Sequence, residues 1–290
     1  MSAIGPPEFL RPSHPGDLTR HLQRLIGGET LSTAEASAAF EAIMTGSAHH
    51  AEVGALLALL ATRSPTVDEL VGAAGVMRAH VDRVVATTPP ERLLDTAGTG
   101  GAPKTFNVGT VAAIVAAAAG RTRGLAVAKH GNRSRTGRGS AEVLAALGVN
   151  IDSDRAAQAR ALDDVGVCFC FAIHHHPAAM HVMPVRRALG FPTIFNLLGP
   201  LTNPAGARRQ LMVVYERRFV RPVADALARL GAVHAIVVHG GDGLDELSIE
   251  QRPSRPRPRR GSSASSRSTR GSAFAAPRRM NSPHAISTTR

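Results

Sequence analysis

Residues 95–110 read DTAGTGGAPKTFNVGT. Gly98, Gly100 and Gly101 fall within four positions, behind the apolar run RLLDTA at 92–97 and ahead of an Ala-rich apolar stretch at 109–119. A strand that leaves through clustered glycines into a helix opens a βα unit, so this stretch places the chain among α/β folds with a mostly parallel sheet. Glycines let the backbone approach a bound group and adopt positive φ, and the open N–H groups at a helix start favour an anion. Many tight turns of this kind hold nothing, and the spacing matches neither GxxxxGK[ST] nor GxGxxG.

A second stretch adds weight. Residues 126–144, AVAKHGNRSRTGRGSAEVL, again leave a strand through a Gly- and Ser-rich loop into a helix, carrying Lys129, His130, Asn132, Arg133, Ser134, Arg135 and Arg138. Alone it reads as a solvated basic loop; beside the glycine turn it fits a polyphosphate. The chain has only two lysines, Lys104 and Lys129, and both lie in these loops. A third stretch, HGGDGLDELS at 239–248, groups Asp242, Asp245 and Glu246 after a strand, as hard oxygen ligands for magnesium or as a solvated turn.

Outward from these loops the chain divides in two. Residues 17–85 read as a helical domain, with three- and four-residue apolar spacing in 17–27, 32–46, 51–63 and 66–81. Ser32 and Thr66 are N-caps with Glu35 and Glu69 three residues on, and Gly46 is a helix stop. Residues 90–250 alternate strands (92–97, 124–130, 165–173, 209–215, 234–240) with helices (109–119, 140–147, 154–164, 218–230). Prolines in 177–204 forbid one long helix there, and part of that segment is expected to pack on the helical domain. Residues 1–16 read as a flexible N-terminus without the apolar segment of a secretion signal.

The net charge of +12 is unevenly placed. Residues 251–290 hold ten arginines and no Asp or Glu, whereas the first 250 carry 24 basic and 22 acidic side chains. That Arg/Ser/Pro-rich tail has too little apolar surface to order itself, and disorder is expected there. No apolar run reaches the roughly 18 residues of a membrane span. Cys168 and Cys170 are two apart on a strand, too tight for an ordinary disulfide and too few for structural zinc, so a cytoplasmic setting is the simplest expectation.

DTAGTGGxxxTFN, VAKHGNRS, GSAEVLAALGVNID, HHHPAAMHVMPVRRALGFPTIFNLLGPLTNPA and VVHGGDGLDELS follow one another here over residues 17–250. In this order they resemble the anthranilate phosphoribosyltransferases. The resemblance implies transfer of the phosphoribosyl group from phosphoribosyl pyrophosphate (PRPP) to anthranilate in tryptophan biosynthesis, with magnesium, on a small helical domain joined to a larger α/β domain, as a homodimer. It assigns the PRPP site to Gly98, Thr99, Gly100, Gly101, Thr105, Asn107, Gly109 and Thr110, then Lys129, Gly131, Asn132, Arg133, Ser134 and Ser140. Arg186, Asn132 and Gly98 would meet anthranilate, and Asp245 and Glu246 would bind magnesium. No general base is implied, because an aniline-type nitrogen is already free to attack. His174, His175 and His176, on extended chain, cannot all face one ion and are read as lining the acceptor pocket.

Departures from the family pattern are also visible. Ala102 replaces an acid after GTGG, the two loops are each a residue short, and Gly109 stands where the family carries serine, which predicts weaker binding. The family continues past the Asp-Glu pair to complete its sheet. Here the text changes abruptly after Glu250, so the C-terminal part of the sheet domain is expected to be missing, as after a reading-frame change. Two alternatives remain: an enzyme like the pyrimidine nucleoside phosphorylases, and a non-enzymatic relative binding nucleic acid through the arginine tail.

Overall fold

The computed structural model describes residues 14, 16–100, 106–134 and 137–240, and the backbone of two strands at 273–275 and 285–289. Four helices come first: α1 (Thr19–Ile26), α2 (Thr33–Met44), α3 (His50–Ala61) and α4 (Val67–Ala79). Reciprocal capping sets their starts. The Ser32 hydroxyl accepts from the Glu35 amide while Glu35 accepts from the Ser32 amide, and Thr66 and Glu69 do the same for α4. His49 caps α3 through Nδ1, with Glu52 as its partner. Glu69 is buried and forked by Arg63.

Then follow β1 (Leu93–Asp95), α5 (Val108–Gly120), β2 (Ala126–Gly131), α6 (Ser140–Ala146), α7 (Arg155–Arg160), β3 (Val167–Phe171) and α8 (Ala172–His175). The chain continues through α9 (Met183–Leu189), α10 (Ile194–Leu198), β4 (Arg209–Val213), α11 (Val220–Arg229), β5 (His234–Val238), β6 (Ala273–Ala275) and β7 (Ala285–Thr289). The sheet order is β3-β2-β1-β4-β5-β7-β6, parallel throughout except for the β6–β7 pair. Strand order therefore reverses direction at β1, between β2 and β4. In open α/β sheets that reversal opens a crevice at the carboxyl ends of the strands, where ligands bind.

One core unites the two parts. Phe40, Leu56 and Leu70 of the helices lie in the same buried cluster as Phe195 of α10, Val223 and Leu227 of α11, and Val237 of β5. Phe40 and Phe195 meet with ring centroids 5.5 Å apart. Segment 177–204 supplies Val182, Val185, Leu197 and Leu201 to this core. Arg78 pins the join by donating to the carbonyls of Leu201 (2.7 Å) and Leu230 (2.8 Å). Burial, with Arg83 nearby, brings its guanidinium down to about 10, so it stays charged at neutral pH. On the other half of the sheet, Ala113 and Ala117 of α5 pack on Val127, while Val111, Ile114 and Val115 on the same helix stay exposed.

Three expectations are corrected. The helix expected over 154–164 is α-helical only to Arg160; a π turn over Ala161–Val165 follows, ended by Gly166 in the left-handed region at φ +86°. His174 and His175 sit on the short helix α8 rather than on extended chain. Within 251–290, where disorder is expected, the structure has β6 and β7; the rest of that tail lies outside the described residues.

Candidate active site

The turn after β1 is held against β4. Gly98 bridges Val213, the Thr99 amide donates to the Val213 carbonyl at 3.0 Å, and the Thr99 hydroxyl accepts from the Tyr215 amide at 3.0 Å. A Cβ on Gly98 would lie 2.4 Å from Val213 Cγ2, so only glycine allows this approach. Gly100 then turns with φ +62° into open space. Gly101 and Thr105 lie outside the described residues.

Helix α5 begins directly beyond. Asn107 occupies its N-cap, yet the side chain makes no capping bond and donates instead to the Arg138 carbonyl at 3.1 Å. This bond draws the second loop against the start of α5, and the first-turn amides, Val108 and Gly109 among them, have no acceptor within the helix. Thr110 is buried. A Cβ at Gly109 would stand 2.9 Å from the Thr96 carbonyl oxygen. Gly109→Ser, which restores the residue of the family pattern, is therefore expected to lower stability by about 1 kcal/mol or more rather than to help; thermal unfolding of the two chains checks this.

The second loop leaves β2 beside the first. Lys129 is buried, and its ammonium donates to the carbonyls of Thr96 (3.3 Å) and His130 (3.4 Å), bridging the two strand ends. Gly131 has the Ser140 hydroxyl and the Phe169 ring where a Cβ would go. Ser140 opens α6 and donates to the Asn132 carbonyl at 3.4 Å; the Asn132 carboxamide accepts from the Arg133 amide. Arg133 lies over the Phe171 ring, and Ser134 accepts from the Arg138 amide while donating its own to Glu142.

Sequence reasoning missed the floor under these loops. Asp95 is fully buried: one oxygen accepts from the His130 amide at 3.1 Å, the other from Asn203 at 2.8 Å, and Asn203 also donates to the Ala128 carbonyl. Burial pushes this carboxyl up to about 6, against the pull of Lys129, Asn203 and the His130 amide. At neutral pH it is an anion facing Lys129. Because its folded value exceeds its ordinary 3.8, the folded chain binds the extra proton between those values, and Asp95 loses stability as pH rises through 6. Urea unfolding at a series of pH values is expected to show wild type losing about 2 kcal/mol relative to Asp95→Asn between pH 4 and 7.

The three histidines diverge. His174 pairs with Asp152 (2.7 Å), and His175 bridges the Asp82 carbonyl (2.7 Å) and Gln158 (2.9 Å). His176 meets His130 Nε2 to Nε2 at 3.2 Å. Burial holds His130 well below its ordinary value, helped by His176, and burial with His175 nearby takes His176 down to about 4. Both rings are neutral at physiological pH, so one donates to the other. His176 thus packs against the end of β2, whereas His174 and His175 are held by Asp152, Asp82 and Gln158. Arg186, half-buried on α9, stacks over Phe195 at 5.3 Å, and the next residue, Asn196, makes a long 3.5 Å contact to the Thr99 carbonyl. Helix α10 in this way links the arginine to the glycine turn. Asp245 and Glu246 lie outside the described residues.

The glycosyl transferase family's helical bundle domain matches residues 19–81, and its a/b domain matches residues 90–252. A curated anthranilate phosphoribosyltransferase of Anaeromyxobacter dehalogenans is 51% identical over 230 residues, covering 79% of this chain and 66% of the relative. That of Rhodospirillum rubrum is 48% identical over 240 residues, covering 82% and 67%. The chain belongs to the anthranilate phosphoribosyltransferase family. It spans about two thirds of the length of these relatives. The crystal structure of the Thermus thermophilus anthranilate phosphoribosyltransferase superposes with a TM-score of 0.71 at 41% identity, covering 78% of this chain and 67% of that one. The Saccharomyces cerevisiae anthranilate phosphoribosyltransferase in complex with PRPP and Mg gives 0.70 at 28% identity, covering 81% and 68%; the yeast protein is also known in complex with 4-fluoroanthranilate. Among the described residues, no helix is long and apolar enough to cross a membrane.

Proposed function

We propose that this chain binds PRPP in the crevice beyond β1 and β2 and transfers its phosphoribosyl group to anthranilate, releasing pyrophosphate. The observation that carries this reading is the meeting of two loops at the sheet's reversal point. The start of α5 presents backbone amides, and the loop after β2 meets it at Arg138, with the buried ammonium of Lys129 at the end of β2 below. Preorganised donors of this kind stabilise charge on a departing diphosphate without reorganising during the reaction. Arg186 would offer a planar guanidinium to the carboxylate of anthranilate, and Asn132 and Gly98 are proposed to meet the same acceptor. The chain's work is orientation: holding the amine in line with the ribose carbon offsets roughly 7–11 kcal/mol of barrier in favourable cases. The same reading includes a homodimer, a cytoplasmic location and a place in tryptophan biosynthesis.

Magnesium would travel with the diphosphate, and Asp245 and Glu246 are proposed to meet it. Two other carboxylates touch the loops. Asp95 engages both oxygens within the fold, and Glu142 gives one oxygen to the Ser134 amide and keeps the other buried without a hydrogen-bond partner. One unpartnered oxygen falls short of what the ion demands. The test is loss of anthranilate fluorescence with the purified full chain, PRPP and magnesium. Turnover that needs all three supports the proposal; a folded, soluble chain without turnover or PRPP binding rejects it.

A further inference from the structure

The carboxyl end of β3 carries two rings on one face. Phe169 and Phe171 stand two residues apart and are buried with Ala141, Leu144 and Ile151. Their centroids lie 6.0 Å apart at 26°. His174, fixed by Asp152 at 2.7 Å, meets the Phe171 ring at right angles with centroids 5.3 Å apart. Gly131 of β2, opposite Phe171 in the ladder, makes the room: a Cβ there would stand 2.7 Å from the Phe169 ring. Phe171 is thereby held both from its own strand and from α8. Over it, 5.7 Å from the centroid, lies the guanidinium of Arg133 from the second loop. Arg133 is exposed, and among the described residues its side chain has no hydrogen bond or ion pair.

On the reading that PRPP occupies the crevice, we propose that Phe171 is a positioning residue for the phosphoribosyl donor. Its ring holds the Arg133 guanidinium by the face and leaves the N–H edge for a phosphate of PRPP. A guanidinium stacks through its flat face while its donors lie in the plane, so stacking leaves the fork unspent for an anion. A lone arginine on an open loop surrenders rotamer freedom when its ligand arrives. A platform that orders it beforehand removes part of that cost. Arg186, proposed for the carboxylate of the acceptor, lies over Phe195 in the same way.

Two readouts on the full chain test this. Without ligand, proton–nitrogen correlation spectra follow the Arg133 Hε signal, assigned by its loss in Arg133→Lys. It is expected to be shifted upfield by the ring and to move toward the position of a free arginine in Phe171→Leu. An unshifted signal in the wild type overturns the platform. With PRPP and magnesium, Phe171→Leu is expected to weaken PRPP binding about two- to fivefold, the range of an exposed cation–π contact, with kcat unchanged. Ile151→Ala, which empties part of the same core without touching Arg133, should lower stability and leave PRPP affinity as it was; circular dichroism confirms that each variant folds. In an Arg133→Met background, Phe171→Leu should change PRPP binding no further. A further loss there, or an equal loss in Ile151→Ala, makes Phe171 a core residue only and overturns the role. A wild type with the shifted signal but no PRPP binding rejects the PRPP reading instead, and the positioning role falls with it.

Discussion

Lys129→Met is expected to lower kcat/KM for phosphoribosyl transfer on the order of 10²–10³-fold, the range found when one preorganised donor to a developing anion is removed. Methionine keeps the length and the burial of the stem, so the loss is one of charge. In the folded chain the ammonium bridges the Thr96 and His130 carbonyls and faces Asp95. Its removal therefore has a second consequence: Asp95 loses its main coulombic support, and its carboxyl moves further up. The variant should show its residual activity and its stability depending on pH in a range shifted above 6. Loss confined to PRPP, with anthranilate binding unchanged, is the signature of a donor-side residue. Anthranilate fluorescence turnover, PRPP titration and urea unfolding read these separately; unchanged PRPP affinity would remove Lys129 from the site.

What was legible in the sequence was local. The capping boxes of α2 and α4 each lie within a few residues and fold as read, and Gly98–Gly100 and the end of β2 at Gly131 are set by equally short stretches of sequence. What was not legible was assembled over distance. Asp95 in LLDTA looks like a strand end, and nothing near it announces that Asn203, 108 residues on, will hold it at the base of both loops. The same holds for His130 and His176, 46 residues apart. The shared core was hidden for a related reason: the amphipathic pattern of α11 shows an apolar face without saying that the helical domain covers it. The 154–164 reading failed because its apolar spacing runs on past Arg160, whereas the backbone widens into a π turn before Gly166. Periodicity reports which residues face inward, and a one-residue bulge leaves that pattern almost intact.

Gly98→Ala is expected to lower stability and PRPP affinity together. The new Cβ would sit 2.4 Å from Val213 Cγ2 and 3.5 Å from the Val213 carbonyl oxygen. Valine is stiff at χ1 and cannot swing aside, and the turn cannot slide, because the Thr99 amide and hydroxyl are both bonded to β4 and the residues after it. The strain is expected to cost about 1–3 kcal/mol in unfolding free energy and to displace the turn proposed to meet PRPP. Gly100 provides the contrast. A Cβ there meets nothing within 4 Å, so Gly100→Ala carries only the φ +62° penalty, on the order of 1 kcal/mol. The decisive comparison is the Gly98→Ala, Val213→Ala pair, which removes the methyl that the new one strikes. If the close approach is the cause, the double variant regains stability and PRPP affinity relative to Gly98→Ala alone, with a coupling of about 1–2 kcal/mol. Additive losses would show instead that Gly98 is required for something other than its contact with β4, and the packing of the turn on Val213 would no longer explain the residue.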